Sequence, residues 1–339
     1  MRAVELTGQG FEAMRVAERP AVKVARGDVK LKVKAASINY RDVLIAKGFL
    51  PIVYPRIPLS DAVGEVIEVG EGVTRVAVGD RVCATYYPDW ISGGIAPGKF
   101  ARDRGAGTDG VAAEYLVLSA EELFKVPGFL TDAESSTLPC AAVTAWSSVT
   151  RNVSLNPGDM VLIQGTGGVS LFALQFALAA GAETYLISSS NEKLERARAL
   201  GAHHTLNYRE TPAWGEAILG ATGGRGVDLV VDVVGPGALE QSITALTSGG
   251  HVSQVGVLAG ITASIPVLPL MVKEAHLDGI ISGSRESAEA MVRAIAHHRI
   301  RPIVDRSYAL EELSGALTYL ERQGHFGKVS VHFGGAANH

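Results

Sequence analysis

Sulfur is scarce in this sequence: among 339 residues there are two cysteines, Cys83 and Cys140. Two thiols exclude a disulfide framework and a four-cysteine zinc lobe, and they make a reduced, cytoplasmic setting the expectation. A charge surplus is missing as well. With 31 Lys and Arg against 35 Asp and Glu the formal net charge is −4, so nothing electrostatic predicts nucleic acid or an anionic membrane as a partner. No signal pattern heads the stretch MRAVELTGQG. No apolar run reaches the roughly 18 residues of a membrane-spanning helix without polar interruption; the closest, after Gly168, is broken by Ser170 and Gln175. A composition of 47% hydrophobic and 19% charged residues is that of a globular protein. The chain is too long for one core, so two domains are expected.

What the sequence does have is a strong local signal at Asp159 to Gly181, DMVLIQGTGGVSLFALQFALAAG. A short apolar run, Met160 to Ile163, meets Gly165-Thr166-Gly167-Gly168, after which small and apolar residues continue to Ala180. Strand, glycine turn and helix in this order open a βαβ unit. Glycines there let the backbone approach a ligand, and the N–H groups at a helix start attract phosphate. Against the dinucleotide fingerprint G-x-G-x-x-G/A, Gly165 and Gly167 fit while Ser170 holds the third place. By itself this near match also suits a tight turn between a strand and a packed helix. The context favours the nucleotide reading: a second strand, Glu183 to Ile187, ends at Ser188-Ser189-Ser190, and a helix from Glu192 to Leu200 follows, with Ser189 and Glu192 forming a capping box. Val227 to Val234 and His251 to Val257 are two further apolar strands. Strand and helix alternation of this kind predicts a doubly wound α/β unit with a parallel sheet.

The first third reads differently. Val29, Leu31, Val33 and Ala35 alternate with Lys30, Lys32 and Lys34, the pattern of a strand with one wet face. Gly64 to Val69, Arg81 to Thr85 and Val111 to Leu118 are also strand-like, so a small, partly open β-barrel is expected. Tyr40 to Lys47 is a short helix, Tyr86 to Gly110 a long loop, and Asp132 to Ser148 a helix pair broken at Pro139. Towards the C-terminus, Ser287 to His298 and Glu311 to Arg322 are helical, Lys328 to Phe333 is a strand, and Gly334 to His339 is a loose tail.

This order of parts resembles the medium-chain dehydrogenase/reductase superfamily. GDRV at Gly79 to Val82, AAEY at Ala112 to Tyr115, LPCAAVTAW at Leu138 to Trp146, GTGGVS at Gly165 to Ser170, LGA at Leu200 to Ala202 and FGKV at Phe326 to Val329 carry the resemblance. It implies a GroES-like, partly open β-barrel catalytic domain, residues 1–127 and 286–339, and a Rossmann-type parallel-sheet domain, residues 128–285. In the alcohol dehydrogenase branch a cysteine, the histidine of a GHE motif and a second cysteine hold a catalytic zinc. Here those places carry Asn39 in SINYRD, Leu59-Ser60-Asp61, and Cys140. One thiolate with an amide and a hydroxyl does not make a catalytic zinc site, so no metal is expected. The chain is thus similar to the zinc-free quinone oxidoreductase branch.

The resemblance also locates the cofactor. NAD-preferring relatives end the second strand with an acidic residue; here that place is Ser188, neutral, beside Ser189. Lys193 and Tyr208 stand where the zinc-free branch holds a 2′-phosphate, which makes NADPH the expected cofactor. Further implied cofactor contacts are Thr144 beside the nicotinamide, Gly167, Gly168 and Val169 at the pyrophosphate with Gly165 in the same turn, Gly235 at the end of the fourth strand, Gly256 and Val257 near the nicotinamide ribose, and Lys328 in FGKV. Without a metal, Asn39 is the expected hydrogen-bond donor to a developing oxyanion, with Thr144, Tyr40 and Asp42 as the other catalytic candidates. Tyr86, Tyr87 and Trp90 either line the substrate cleft or make a surface or dimer contact. The expected activity is hydride transfer from NADPH to a quinone, an enone or another activated carbonyl compound, in a homodimer. A zinc-type alcohol dehydrogenase with atypical ligands, or an NADPH-binding protein with little turnover, are the alternatives.

Overall fold

The computed structural model describes residues 1–50 and 52–333, so the expected loose tail lies outside the described residues. The chain divides into two compact units, Met1–Val143 with Gly283–His339, and Thr144–Ser282.

The first unit begins with a hairpin, β1 (Arg2–Leu6) against β2 (Met14–Glu18), and continues with β3 (Asp28–Ile38), the helix α1 (Tyr40–Ala46), β4 (Asp61–Val69), β5 (Arg81–Ala84), β6 (Tyr115–Ser119) and β7 (Leu123–Lys125). In β3 the lysine alternation is realised: Val29, Leu31, Val33 and Ala35 are buried between the partly or fully exposed Lys30, Lys32 and Lys34. From Ala35 to Ile38 every residue is buried, and over these residues a C-terminal strand pairs antiparallel with β3. The expected strand from Val111 begins only at Tyr115. Residues 111–113 instead make isolated contacts with β1, through Val4 N–H to Ala112 O at 2.8 Å and a bridge between Ala3 and Ala113.

The helix pair is more broken than the sequence suggests. After α2 (Asp132–Ser136) comes a wider, π-helical turn at Leu138–Ala142, with Pro139 near its start where a missing N–H costs nothing, and then α3 (Val143–Thr150). Residues 128–143 group with the first unit, in place of the expected division near residue 127. Hydrogen bonds explain this: Ser37 Oγ donates to Ser136 O at 3.0 Å, Cys83 Sγ to Ser135 O at 3.2 Å, and the Cys140 N–H to Asp61 Oδ2 at 3.1 Å.

The second unit holds β8 (Met160–Gln164), α4 (Gly168–Ala179), β9 (Glu183–Ser188), α5 (Asn191–Ala199), β10 (His204–Asn207), α6 (Trp214–Ala221), β11 (Val227–Asp232), α7 (Leu239–Ala245), β12 (Leu246–Gln254), α8 (Val267–Val272) and β13 (His276–Gly279). Its six strands form a parallel sheet in the order β10-β9-β8-β11-β12-β13, the doubly wound arrangement. Helix α5 is capped by Ser190, whose Oγ accepts the Lys193 N–H at 3.4 Å, and not by Ser189. Strands β11 and β12 stop earlier than expected because Asp232 turns the chain: its carboxylate accepts the N–H groups of Val234 and Gly235, and its carbonyl those of Val255 and Gly256.

The chain then returns to the first unit with α9 (Arg285–His298), β14 (Val304–Ala309), α10 (Leu313–Glu321) and β15 (Lys328–His332). Strand β15 lies inside the seven-stranded sheet, parallel to β14 on one side and antiparallel to β3 on the other. The main core of this unit joins side chains from both ends of the sequence, among them Val29, Leu31, Val66, Leu317, Val329 and Val331.

Candidate functional site

In the second unit the glycine turn is built as a cradle. Gly165 follows β8 with φ +74°, a left-handed conformation that costs other residues energy, and its N–H donates to Ile187 O at 2.7 Å. Gly167 caps α4, Gly168 opens it, and the first-turn N–H groups, including that of Val169, stand at the C-terminal end of β8. Ser170, in the third fingerprint place, is buried and donates from Oγ to Gln164 O at 2.7 Å. It ties helix to strand and leaves the turn's backbone open to a pyrophosphate.

At the end of β9, Ser188 is buried and its carbonyl accepts the Tyr208 N–H at 3.1 Å. The parallel register sets Ser188 beside Asn207, so Tyr208 follows directly, with its side chain partly exposed. Lys193 stands in the first turn of α5, three residues past the cap at Ser190. Ser188, Ser189, Lys193 and Tyr208 are therefore gathered at the C-terminal ends of two adjacent strands; β9 ends on a neutral residue, while past the end of β10 the Glu210 carboxylate accepts from Asn191 Nδ2 at 2.7 Å and Asn207 Nδ2 at 3.0 Å.

Gly235 and Gly256 face each other across the ends of β11 and β12. A Cβ on Gly256 would lie 1.7 Å from Val233 O, and one on Gly235 would lie 2.6 Å from Gly256 O. Val257, next in the chain, is exposed. Thr144 is buried in α3, which is held to β12 by Ser253 Oγ donating to Ser148 O at 2.8 Å. Sequence reasoning missed the polar pin beneath these turns: Gln164 Nε2 donates to Ser242 Oγ at 2.8 Å, and Ser242 Oγ to Asp232 Oδ2 at 2.9 Å. The available signal was an acidic residue ending an apolar strand, VDLVVD.

The first unit carries a buried polar cluster. Asn39 precedes α1, its backbone N–H held by Asp42 Oδ2 at 2.8 Å, the reciprocal bond of a capping box. Its side chain points elsewhere. Lys328 Nζ, on β15, donates to Asn39 Oδ1 at 2.5 Å and to Ile38 O at 2.7 Å. Asn39 Nδ2 reaches Ser60 Oγ at 3.4 Å, Ser60 Oγ donates to Asp61 Oδ1 at 2.6 Å, and the Cys140 N–H donates to Asp61 Oδ2. Lys328, expected as a cofactor contact, thus has its ammonium inside this cluster. Tyr40 opens α1 outside the hydrogen-bond chain, with its side chain partly buried.

Burial dominates the electrostatics. It pushes the Asp42 carboxyl up to about 6, against the pull of Arg41 and the Asn39 N–H. Burial likewise raises Asp61, opposed by Lys328, and lowers Lys328, opposed by Asp61, Cys140 and Asp42. The Cys140 thiol is pushed up to about 12, first by burial and then by Asp61. Beside the cluster, Arg41 donates to Asp103 Oδ2 at 2.6 Å and to Arg104 O at 2.9 Å, and its guanidinium lies 4.8 Å from the centre of the Tyr86 ring. Tyr86, Tyr87 and Trp90 are buried together against Cys140, so they are core and not surface.

These residues do not fit a zinc ion. Asp61 already accepts two hydrogen bonds and Lys328 brings a cation into the cluster, so Cys140 is left as the one soft donor where a catalytic zinc takes three protein ligands. Among the described residues no group of three or more His, Cys, Asp or Glu is placed to hold a metal. The nucleotide cradle, by contrast, fits a dinucleotide: its glycine turn and helix start present N–H groups of the kind that a pyrophosphate takes. No helix among the described residues is long and apolar enough to cross a membrane.

Comparison with known proteins agrees with both units. Residues 25–128 match the alcohol dehydrogenase GroES-like domain family, and residues 168–297 match the zinc-binding dehydrogenase family. A zinc-type alcohol dehydrogenase-like protein of Schizosaccharomyces pombe is 40% identical over 331 residues, covering 94% of this chain and 95% of its own. An acryloyl-coenzyme A reductase of Metallosphaera sedula is 31% identical over 340 residues, covering 97% of this chain and 99% of its own. The crystal structure of a putative alcohol dehydrogenase from Sinorhizobium meliloti 1021 superposes with a TM-score of 0.93 at 39% identity, covering 98% of each chain. A GroES-like unit interrupted by a Rossmann-type unit, with these relatives along its length, makes the chain a member of the medium-chain dehydrogenase/reductase superfamily and an NAD(P)H-dependent oxidoreductase.

Proposed function

We propose that this enzyme is a zinc-independent reductase that uses NADPH to reduce a conjugated acceptor, a quinone, an enone or a related activated carbonyl compound. The observation that carries the reading is the closed polar cluster at the metal-ligand positions, where Lys328, Asn39, Ser60 and Asp61 satisfy one another. Bound NADPH supplies a hydride from its nicotinamide. An acceptor whose negative charge spreads over a conjugated oxygen needs less Lewis-acid help than a simple ketone, so a donor amide suffices for it. Asn39 Nδ2 is the proposed donor. Asp42 holds the backbone from which that amide projects, Tyr40 flanks it at the helix start, and Thr144 is assigned to the nicotinamide side. The acryloyl-coenzyme A reductase relative, named for an activated double bond, supports the same acceptor class. The decisive assay is NADPH oxidation with a panel of para-benzoquinone, crotonaldehyde, acryloyl-coenzyme A and a simple ketone, with elemental analysis of the same preparation. Turnover of the ketone alone, with stoichiometric zinc, would mean an alcohol dehydrogenase; NADPH binding without turnover of any acceptor would mean a binding protein.

For the cofactor, Ser188 and Ser189 in place of a carboxylate remove the repulsion of a 2′-phosphate, while Lys193 and Tyr208 furnish a cation and a phenol there. Gly167, Gly168 and Val169 are assigned to the pyrophosphate, with Gly165 in the same turn, Gly256 and Val257 to the nicotinamide ribose, and Gly235 to the cofactor at the end of the fourth strand. A charge-assisted hydrogen bond contributes about 1.5–3 kcal/mol, so Lys193→Ala is expected to raise KM for NADPH by about tenfold or more and leave KM for NADH unchanged. Equal rises for both cofactors would remove Lys193 from the phosphate.

A second copy of the chain is the proposed partner. Strand β13 is an edge of the parallel sheet, and Ile261, Leu268, Met271, Val272 and Leu277 on and before it are exposed apolar side chains. Light scattering should give a dimer mass for the native protein and a monomer for Leu277→Lys. A native monomer would overturn this. A cytoplasmic setting is proposed from the sequence, whose two cysteines do not make a disulfide framework.

A further inference from the structure

An asparagine amide can turn its oxygen or its NH2 toward a neighbour at almost equal steric cost, so an unanchored Asn39 would offer an acceptor oxygen no fixed donor. Here Lys328 makes the choice. An ammonium carries three N–H groups and no lone pair, so the Asn39 atom 2.5 Å from Nζ has to be the oxygen. The second bond of Nζ, to Ile38 O at 2.7 Å, anchors the ammonium to the residue just before Asn39. Ser60 cannot reverse the amide, because its proton is directed to Asp61 Oδ1 at 2.6 Å and only a lone pair is left for Asn39 Nδ2. Every bond in the chain from Lys328 to Asp61 therefore has one direction. Nδ2 carries two N–H groups, and the Ser60 contact takes one of them.

We propose that Lys328 is the positioning residue of the Asn39 amide, its ammonium fixing the orientation in which Nδ2 turns its remaining N–H to the substrate oxygen. This rests on the reading of Asn39 as the oxyanion donor. It gives a residue 289 positions away in sequence a part in the reaction without contact with the acceptor. A direct cofactor contact by Lys328 is the competing role.

The test is a double-mutant cycle with NADPH and para-benzoquinone on wild type, Asn39→Ala, Lys328→Met and the double variant, with NADPH Kd measured by calorimetry. Lys328→Met should lower kcat by about the hundredfold expected for loss of an oxyanion donor, leave NADPH Kd unchanged, and add nothing in the Asn39→Ala background. In the ligand-free protein the side-chain amide NMR signals of Asn39, identified by their absence from Asn39→Ala, should shift in Lys328→Met. Should Lys328→Met fail to fold, the same cycle is run with Lys328→Arg, which keeps an obligate donor: its smaller loss of kcat must likewise vanish in the Asn39→Ala background. Additive losses of kcat, or a raised NADPH Kd with kcat intact, overturn the role of Lys328 and leave Asn39 in place. An Asn39→Ala enzyme with wild-type kcat removes the donor reading itself, and Lys328 with it.

Discussion

Replacing Asn39 with alanine should lower kcat for a quinone or enone acceptor by about 10²-fold, the lower end of what loss of one preorganised donor costs. The lower end applies because the charge on a conjugated oxygen is spread out and leans less on any single hydrogen bond. NADPH affinity should stay as it is, since the nucleotide cradle is built within the other unit by Gly165 to Val169 and by Ser188 with Tyr208. Folding should also survive: the capping bond at this position comes from the Asn39 backbone N–H to Asp42, which alanine retains. Losing the amide does leave Lys328 without one of its two acceptors and Ser60 without a donor. A modest drop in melting temperature therefore accompanies the loss of rate, as for a buried polar group deprived of its partner. Stopped-flow and steady-state rates of NADPH oxidation, with calorimetric Kd, check this. An unchanged kcat removes Asn39 from the chemistry.

The largest effect on stability is expected at Gly256. A methyl group there would lie 1.7 Å from Val233 O and 1.9 Å from Val233 C, backbone atoms that no rotamer change can move aside. The backbone N–H of Gly256 is itself tied to Asp232 O at 3.0 Å, so relief requires β11 and β12 to part at their C-terminal ends. Gly256→Ala should thus cost upwards of about 4 kcal/mol, the range reserved for strain that has nowhere to go. With it should go NADPH binding, because Gly235 and Val257 sit on the same turns. Gly220→Ala is the matched control: nothing lies within 4 Å of its added Cβ, and alanine favours the helix there. Thermal melts of the two variants should separate widely. A Gly256→Ala protein that melts with wild type would show that the two strand ends are not as close as described.

The parts of the fold that were legible in the sequence are those where one physical signal dominates. Apolar β8, the glycine turn and α4 read directly, because fully buried strands and glycine-opened helices leave uninterrupted patterns. The lysine alternation did the same for β3. Helix α6 contains Gly215 and Gly220, α8 contains Pro269, and the edge strand β14 is the polar VDRSYA; each owes its form to neighbours and not to its own propensity. The cap of α5 was placed one serine early because three serines in a row offer the same hydroxyl, and only the backbone decides which accepts. At the candidate site, Asn39, Ser60, Asp61 and Cys140 could each be seen to stand at a metal-ligand position. That a lysine from β15 joins them could not, since local patterning says nothing about which strand becomes the neighbour of β3.

Strand β15 has a further consequence, for synthesis. The ribosome makes residues 1–143 first, yet β3 lacks its neighbour β15 over Ala35 to Ile38 until residues 328–332 emerge, whereas residues 144–282 hold all six strands of their own sheet. The middle of the polypeptide can therefore mature while its N-terminal portion waits, reversing the usual order in which domains fold from the start of the chain. Lys328 leads in β15, so the Asn39 amide receives its anchor only once that strand has been made, and a chain truncated before it would carry the glycine turn of the second unit without an anchored amide in the first.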